Sequence, residues 1–256
     1  EIDPFTAQTV TVIKGAEGVR FGPEAIGGVI LVKPAPLSKQ AGIKGELNLT
    51  GSSNGAAGAI SGRIEGGFPR IPGFGWRIQG SGRTSGNIKT SEYYLNNTGL
   101  REAGFSGSLG YSQKKLETDL YFSHFQTEVG IFSGSHIGNL QDLEAVLANG
   151  RPFSEGSFTY SIDVPRQSVA HNLLKLESHF HLNSNNHIDL VYGVQRNKRQ
   201  EYDIRRGGRS SIPSLDLTLS TQTLDLNFES LRAGGWKQTV GLSGLVQVNN
   251  NVPGTL

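Results

Sequence analysis

The residues able to do chemistry in this 256-residue chain are histidines and cations, since it has no cysteine and no methionine. Disulfides and thiolate metal sites are thereby excluded. His179 and His181 form an H-x-H pair. On a strand, residues two apart share a face, so two imidazoles could chelate a transition metal. His187 follows soon after and could lie near them. Two histidines without a third ligand make an incomplete site, and a polar lining is the simpler reading. Arg196, Lys198, Arg199, Arg205, Arg206 and Arg209 form the sharpest charge feature. Cations so grouped would attract an anionic ligand or phosphate groups. G-x-S-x-G, H-E-x-x-H and a phosphate loop ending in lysine are all absent, so no enzyme and no cofactor is expected. Lys plus Arg number 24 against 22 acidic residues, which gives no argument for nucleic acid.

The elements that position these residues read as strands. From Gly42 onward, nine segments alternate apolar and polar residues, the period of a β-strand. Trp76 and Ile78 oppose Arg77, Gln79 and Arg83. Leu116, Leu120 and Phe122 oppose Glu117, Asp119 and Tyr121. Leu174, Leu176, Phe180 and Leu182 oppose Lys175, Glu177, His179 and His181. Leu224, Leu226 and Phe228 oppose Asp225, Asn227 and Glu229. Helices would need three- and four-residue spacing. Several segments reach a dozen residues, longer than the roughly five or six usual in soluble sheets and enough for the roughly 9–11 that cross a bilayer. A mean hydropathy of −0.30 is compatible with that, because a membrane strand is apolar only at alternate positions.

The connections alternate in length. Residues 69–73, 113–115, 183–186 and 231–235 are short, whereas 86–99, 130–166 and 203–214 are long. Barrels of the outer membrane have short turns at one end and long loops at the other. The connection at 52–55 belongs with the long set and is short, an exception. Phe68, Trp76, Tyr111 and Trp236 fall near the short turns, where an aromatic girdle would sit. Within the longest loop, Leu140, Leu143, Val146 and Leu147 are at helical spacing with Gly150 as a stop, which predicts a short surface helix over 139–149.

Residues 10–33 read VTVIKGAEGVRFGPEAIGGVILVK. Val10 and Val12, Lys14-Gly15, Phe21-Gly22, Ala25-Ile26-Gly27-Gly28-Val29 and the apolar run to Val32 stand in a fixed order. The stretch resembles the end of the plug domain of TonB-dependent outer-membrane receptors, with Ala16 where proline is usual and Phe21 where tyrosine is commoner. The resemblance implies an antiparallel transmembrane β-barrel in the bacterial outer membrane, of which this chain would carry about nine strands, and the C-terminal part of a plug. Residues 1–36 would be plug and linker, and 37–256 the first strands and loops of the barrel. It further implies active uptake of a scarce nutrient (siderophore, haem, metal or similar), with TonB, a small-molecule or metal ligand, and outer-membrane lipid and lipopolysaccharide as partners. A signal sequence, a TonB box and most of the plug would precede these residues, so the chain reads as an internal fragment.

In that topology His124 and His136 flank the start of the longest loop and His171 closes it, placed to capture zinc or haem from outside. Arg205, Arg206 and Arg209 would face an anionic siderophore or lipopolysaccharide phosphates. Lys14, in the basic position of the plug motif, would pair with one of Glu46, Glu65, Glu117 and Glu177, which alternation places in the lumen. The competing readings are a soluble all-β binding or adhesion module and a passive porin. The porin leaves residues 10–32 unexplained.

Overall fold

A computed structural model describes residues 2–22, 25, 27–135, 139–152, 155–205, 207–232 and 234–253. Strands β1 (Thr9–Ile13) and β2 (Val29–Lys33) pair antiparallel as a separate two-stranded sheet, with a 3-10 turn at Gly15–Phe21 between them. The rest of the chain is dominated by one nine-stranded sheet. Its members are β3 (Gly42–Ser52), β4 (Ala57–Phe68), β5 (Ile71–Ser85), β7 (Leu100–Gln113), β8 (Leu116–Gly130), β10 (Arg166–His181), β11 (Asn186–Tyr202), β12 (Leu215–Leu231) and β13 (Lys237–Pro253). They pair in chain order, each antiparallel to the next. Two-residue strands β6 (Tyr94–Leu95) and β9 (Glu155–Gly156) pair with each other between the long loops. Helix α1 (Leu140–Asn149) is capped by the Asn139 side chain, which accepts from the Asp142 N–H, and stops at Gly150 in the left-handed region. No helix among the described residues is long and apolar enough to cross a membrane.

The sheet is a meander of long hairpins. From β5 onward its strands run 14 to 17 residues. Register is continuous except for a shift at Gly67/Phe68, so the two-residue alternation of the sequence carries straight into two faces. Those faces are the reverse of a soluble fold. Among the described residues the only buried large apolar side chains are Phe125 and Val169, whereas Ser61, Glu65, Arg77, Gln79, Ser106, His171 and Thr221 are buried. Exposed instead are Ile60, Ile64, Ile78, Phe105, Leu109, Leu120, Phe122, Leu174, Phe180, Leu182, Leu224, Leu226, Phe228, Val240 and Leu242. Single exposed leucines are ordinary, but a contiguous apolar face of this size needs a non-aqueous neighbour.

The polar face is the one that the N-terminal residues cover. The linker between β2 and β3 runs over 34–41, past the boundary expected at residue 36, and lies so close to that face that a Cβ on Gly75 would stand 2.4 Å from the Ser38 carbonyl oxygen, and one on Gly67 2.7 Å from that of Gln40. Only glycine admits a backbone passing at that range.

Candidate functional site

The polar face begins with a rung of charge. Strand register sets Lys44 beside Glu65 and Glu65 beside Arg77. Arg77 and Glu65 are buried, and the Arg77 Nε donates to Glu65 Oε2 at 2.6 Å. Lys44 Nζ reaches Glu65 Oε1 at 3.0 Å. The rest of the Arg77 guanidinium donates to the carbonyls of Ala35 at 2.7 Å and Pro36 at 3.0 Å. One planar fork therefore satisfies a buried carboxylate and ties the linker to the wall, a task that suits arginine and not lysine.

Further points fasten the N-terminal residues to the same face. Ser81 Oγ donates to Asp3 Oδ2 at 2.5 Å, and Gln79 Nε2 donates to the Phe5 carbonyl at 2.7 Å. Lys39 Nζ lies 2.7 Å from Glu117 Oε1 and 3.5 Å from Asp119 Oδ1. The pairing expected for Lys14 is corrected by these contacts. Glu46 is engaged by Arg63, Glu65 by Arg77 and Lys44, Glu117 by Lys39 and Glu177 by Lys175. Lys14 forms no ion pair among the described residues. The cations that reach the carboxylates come from the wall and the linker. Of the other motif residues, Gly15 and Gly28 have positive φ, as does Gly22, and a Cβ on Gly28 would stand 2.9 Å from the Ile13 carbonyl oxygen. These glycines permit the sharp exits of β1 and entry to β2. Gly27 has open space around it. Phe21 is exposed.

At the long-loop end, His124 and His171, expected together at the longest loop, lie on opposite faces of the sheet. Register pairs Asn172 with His124 and His171 with Phe125. His124 therefore shares the apolar face with Leu120 and Phe122, where its Nδ1 lies 2.9 Å from Asn172 Oδ1. His171 points to the polar face, is buried, and lies 3.2 Å from the Asn197 amide. Their opposite parity separates them across the sheet, and His136 lies outside the described residues. The basic cluster is divided in the same way. Arg196 and Lys198 are exposed on the apolar face, while Arg199 turns to the polar face and engages Glu201 at 2.5 Å. Arg205 and Arg209 are in the loop after β11, where Ser210 Oγ accepts from the Arg205 N–H at 2.9 Å. Arg206 lies outside the described residues.

Two residues of this end carry no sequence motif. Asn97 is buried, and its Nδ2 lies 3.1 Å from the Ile131 carbonyl, 3.2 Å from that of Asp163 and 2.7 Å from that of Pro165. Its Oδ1 accepts from the Asp163 N–H at 2.9 Å. Asn87, also buried, bridges the Ser157 carbonyl and the Thr98 N–H. Together they clamp the loop after β5 to the longest loop, giving the long-loop end a fixed shape. Above that clamp Tyr94, Phe158 and Tyr160 form an aromatic group with ring centroids 5.2–6.1 Å apart.

At the short-turn end, β10 and β11 bring His179, His181 and His187 together with Asp189. The H-x-H pair thus gains the third histidine and a carboxylate.

Comparison with solved structures fits this geometry. The chain matches the ferric-catecholate import receptor Fiu from E. coli K12 in its open form at a TM-score of 0.72 and 16% identity, over 97% of this chain and 40% of that one. It matches the ferric citrate transporter FecA at 0.69 and 14%, over 98% and 35%. It matches the ferric enterobactin receptor PfeA from Pseudomonas aeruginosa at 0.60 and 16%, over 96% and 36%. No protein-family model and no curated protein matches the sequence. At these identities the likeness establishes fold: an antiparallel transmembrane β-barrel, of which the chain spans well under half of each matched receptor. It is the fold implied by the resemblance of residues 10–33 to TonB-dependent receptors.

Proposed function

We propose that this chain is part of a TonB-dependent receptor that takes up a scarce nutrient across the bacterial outer membrane. In this reading residues 1–36 end the plug and 37–256 begin the barrel. The observation that carries it is the reversed sheet: its apolar side chains are exposed on one face, while the polar face, where Ser61, Glu65, Arg77, Gln79 and Ser106 are buried, is fastened to Asp3, Phe5 and residues 35–39. A wall that is apolar outside and polar inside is what a bilayer and a hydrophilic plug together require.

The mechanism follows from the kind of contact between linker and wall. Most of it is hydrogen bonds and ion pairs, which water can replace one at a time. A plug held by such contacts can be displaced by a pull from the periplasmic partner TonB without exposing apolar surface to water. The clamp made by Asn87 and Asn97 keeps the outer loops in place for ligand while the plug moves. Arg205, Arg206 and Arg209 favour an anionic nutrient, and a ferric chelate is the first to test, since ferric citrate and ferric catecholates are the cargo named for the matched receptors. Arg196 and Lys198, on the lipid face at the same end, suit lipopolysaccharide phosphates.

A strain deleted for the full-length gene should fail to grow on one scarce-nutrient source and recover with the gene on a plasmid. Ferric siderophores, haem, zinc, copper and glycans would each be supplied as the sole limiting source. Recovery that also requires TonB supports the reading. Equal growth of deleted and complemented strains on every source, or recovery independent of TonB, contradicts it.

A further inference from the structure

The transport mechanism makes no use of the cluster at the short-turn end of β10 and β11. The turn between these strands is fixed by the Asn183 carboxamide, whose Oδ1 accepts from the N–H of Asn185 at 2.9 Å and of Asn186 at 3.0 Å. Directly beyond it, register sets His181 against His187 and His179 against Asp189, all on the polar face. Asp189 is the centre. Its Oδ1 contacts His179 Nδ1, and its Oδ2 lies 3.6 Å from His187 Nε2. One donor atom from each of the three residues lies within 4.8 Å of the others. A tetrahedral ion with bonds of roughly 2.0–2.1 Å holds its ligands about 3.3 Å apart. Bringing the three donors onto one ion therefore takes side-chain rotations of about an ångström, which open the His179–Asp189 contact and draw His187 in. His181 stands beside them, its ring centroid 4.4 Å from that of His179, and Glu229 Oε2 lies 3.2 Å from His187 Nε2. All three core residues are about one-third exposed, which leaves an entry path for an ion.

The geometry points to a divalent transition-metal site on the polar wall, formed by His179, His187 and Asp189 with His181 beside it. Two imidazoles and a carboxylate select borderline cations such as zinc, copper, nickel or cobalt over calcium and magnesium, which prefer oxygen alone. The alternative is an unmetallated hydrogen-bonded lining. It explains the His179–Asp189 contact but gives no reason for two imidazoles to converge on one carboxylate, with a third imidazole beside them, next to a turn fixed by Asn183. The site stands on its own geometry and does not depend on which nutrient is carried.

The test uses the full-length receptor in detergent with any affinity tag removed. Cobalt(II) should give the intense visible absorption of a tetrahedral site, and zinc should abolish it at one equivalent. Copper(II) bound to the same protein should show electron-resonance splitting from imidazole nitrogen. The double variant H179Q/H187Q should weaken zinc binding more than about 100-fold, beyond the 10–100-fold that losing an outer-shell partner costs. H124Q, on the opposite face, should bind as wild type. Retention of the folded, heat-modifiable band on gels would show that the double variant keeps its barrel. Absence of the cobalt spectrum or of nitrogen splitting in the wild-type protein overturns the site, whatever the variants do. So does unchanged affinity in a folded double variant. A receptor that binds metal yet supports no TonB-dependent growth leaves the site standing and removes the transport reading, and the converse result does the reverse.

Discussion

Replacing Arg77 by alanine is expected to destabilise the folded receptor by about 3–5 kcal/mol, the range for removing one partner of a buried ion pair. Glu65 would remain buried with only Lys44 for company, and the Lys44 side chain is largely exposed. That residual partner places the expected loss toward the lower end of the range. The carbonyls of Ala35 and Pro36 would lose their donor at the same time, so protease should cut the linker 34–41 faster than in wild type. Arg77→Lys should recover part of the loss, because a single ammonium can meet the carboxylate but cannot fork to two carbonyls as well. The double change R77M/E65Q should cost less than R77A alone, since no buried charge is left without a partner. Denaturant unfolding in detergent measures the first effect, and limited proteolysis the second. If R77A and the double variant unfold at the same denaturant concentration as wild type, the rung is decoration and the linker is held elsewhere.

The second large effect concerns the apolar face. Leu224 lies mid-strand on β12, exposed, with Tyr192 and Gly244 as its cross-strand neighbours. Leu224→Arg should cost roughly 2–4 kcal/mol in lipid, the penalty for a cation at the midplane of a barrel. Val191→Arg lies on the other face, between Glu177 and Asp225 in the register. There a cation meets carboxylates and water, and the change should be close to neutral. A soluble sheet packed on its apolar face would also be damaged by L224R, but its loss would persist in detergent-free buffer. The barrel's loss is read from folding into vesicles, and the contrast between the two faces is the diagnostic part. Equal costs at the two positions would show that lipid touches neither face selectively.

Most of the architecture was legible from alternation alone. Alternation puts Trp76, Ile78, Leu174 and Phe180 on one face and Arg77, Gln79, Lys175 and His179 on the other, and strand register keeps them so. The short and long connections fall where the sequence placed them, including the exception between β3 and β4, which is a single turn at 53–56. The site was less legible. Bordering the longest loop brings His124 and His171 together in sequence, yet parity already separates them: His124 continues the series of Leu120 and Phe122, whereas His171 continues that of Lys175 and His179. Sequence proximity to a loop says nothing of face, and the pleat decides it. The partner of Glu117 could not be read at all. Lys39 reaches it from an irregular linker across 78 residues of chain, and no local pattern encodes that approach. Asn97 and Asn87 were invisible for a similar reason, since an asparagine that clamps loops looks like any loop asparagine until the loops are assembled.

The decisive measurement is a nitroxide scan along β10, β11 and β12 of the full-length receptor in lipid vesicles, one labelled cysteine at a time. Collisions with oxygen, which concentrates in hydrocarbon, and with a water-soluble nickel chelate report what each position touches. High oxygen access is expected at Leu174, Leu176, Tyr192, Leu224 and Leu226, and low oxygen access at Lys175, Val191 and Asp225, alternating at every residue. Loss of that alternation, or oxygen access highest at Lys175, Val191 and Asp225, would contradict a wall that turns its apolar side chains to lipid.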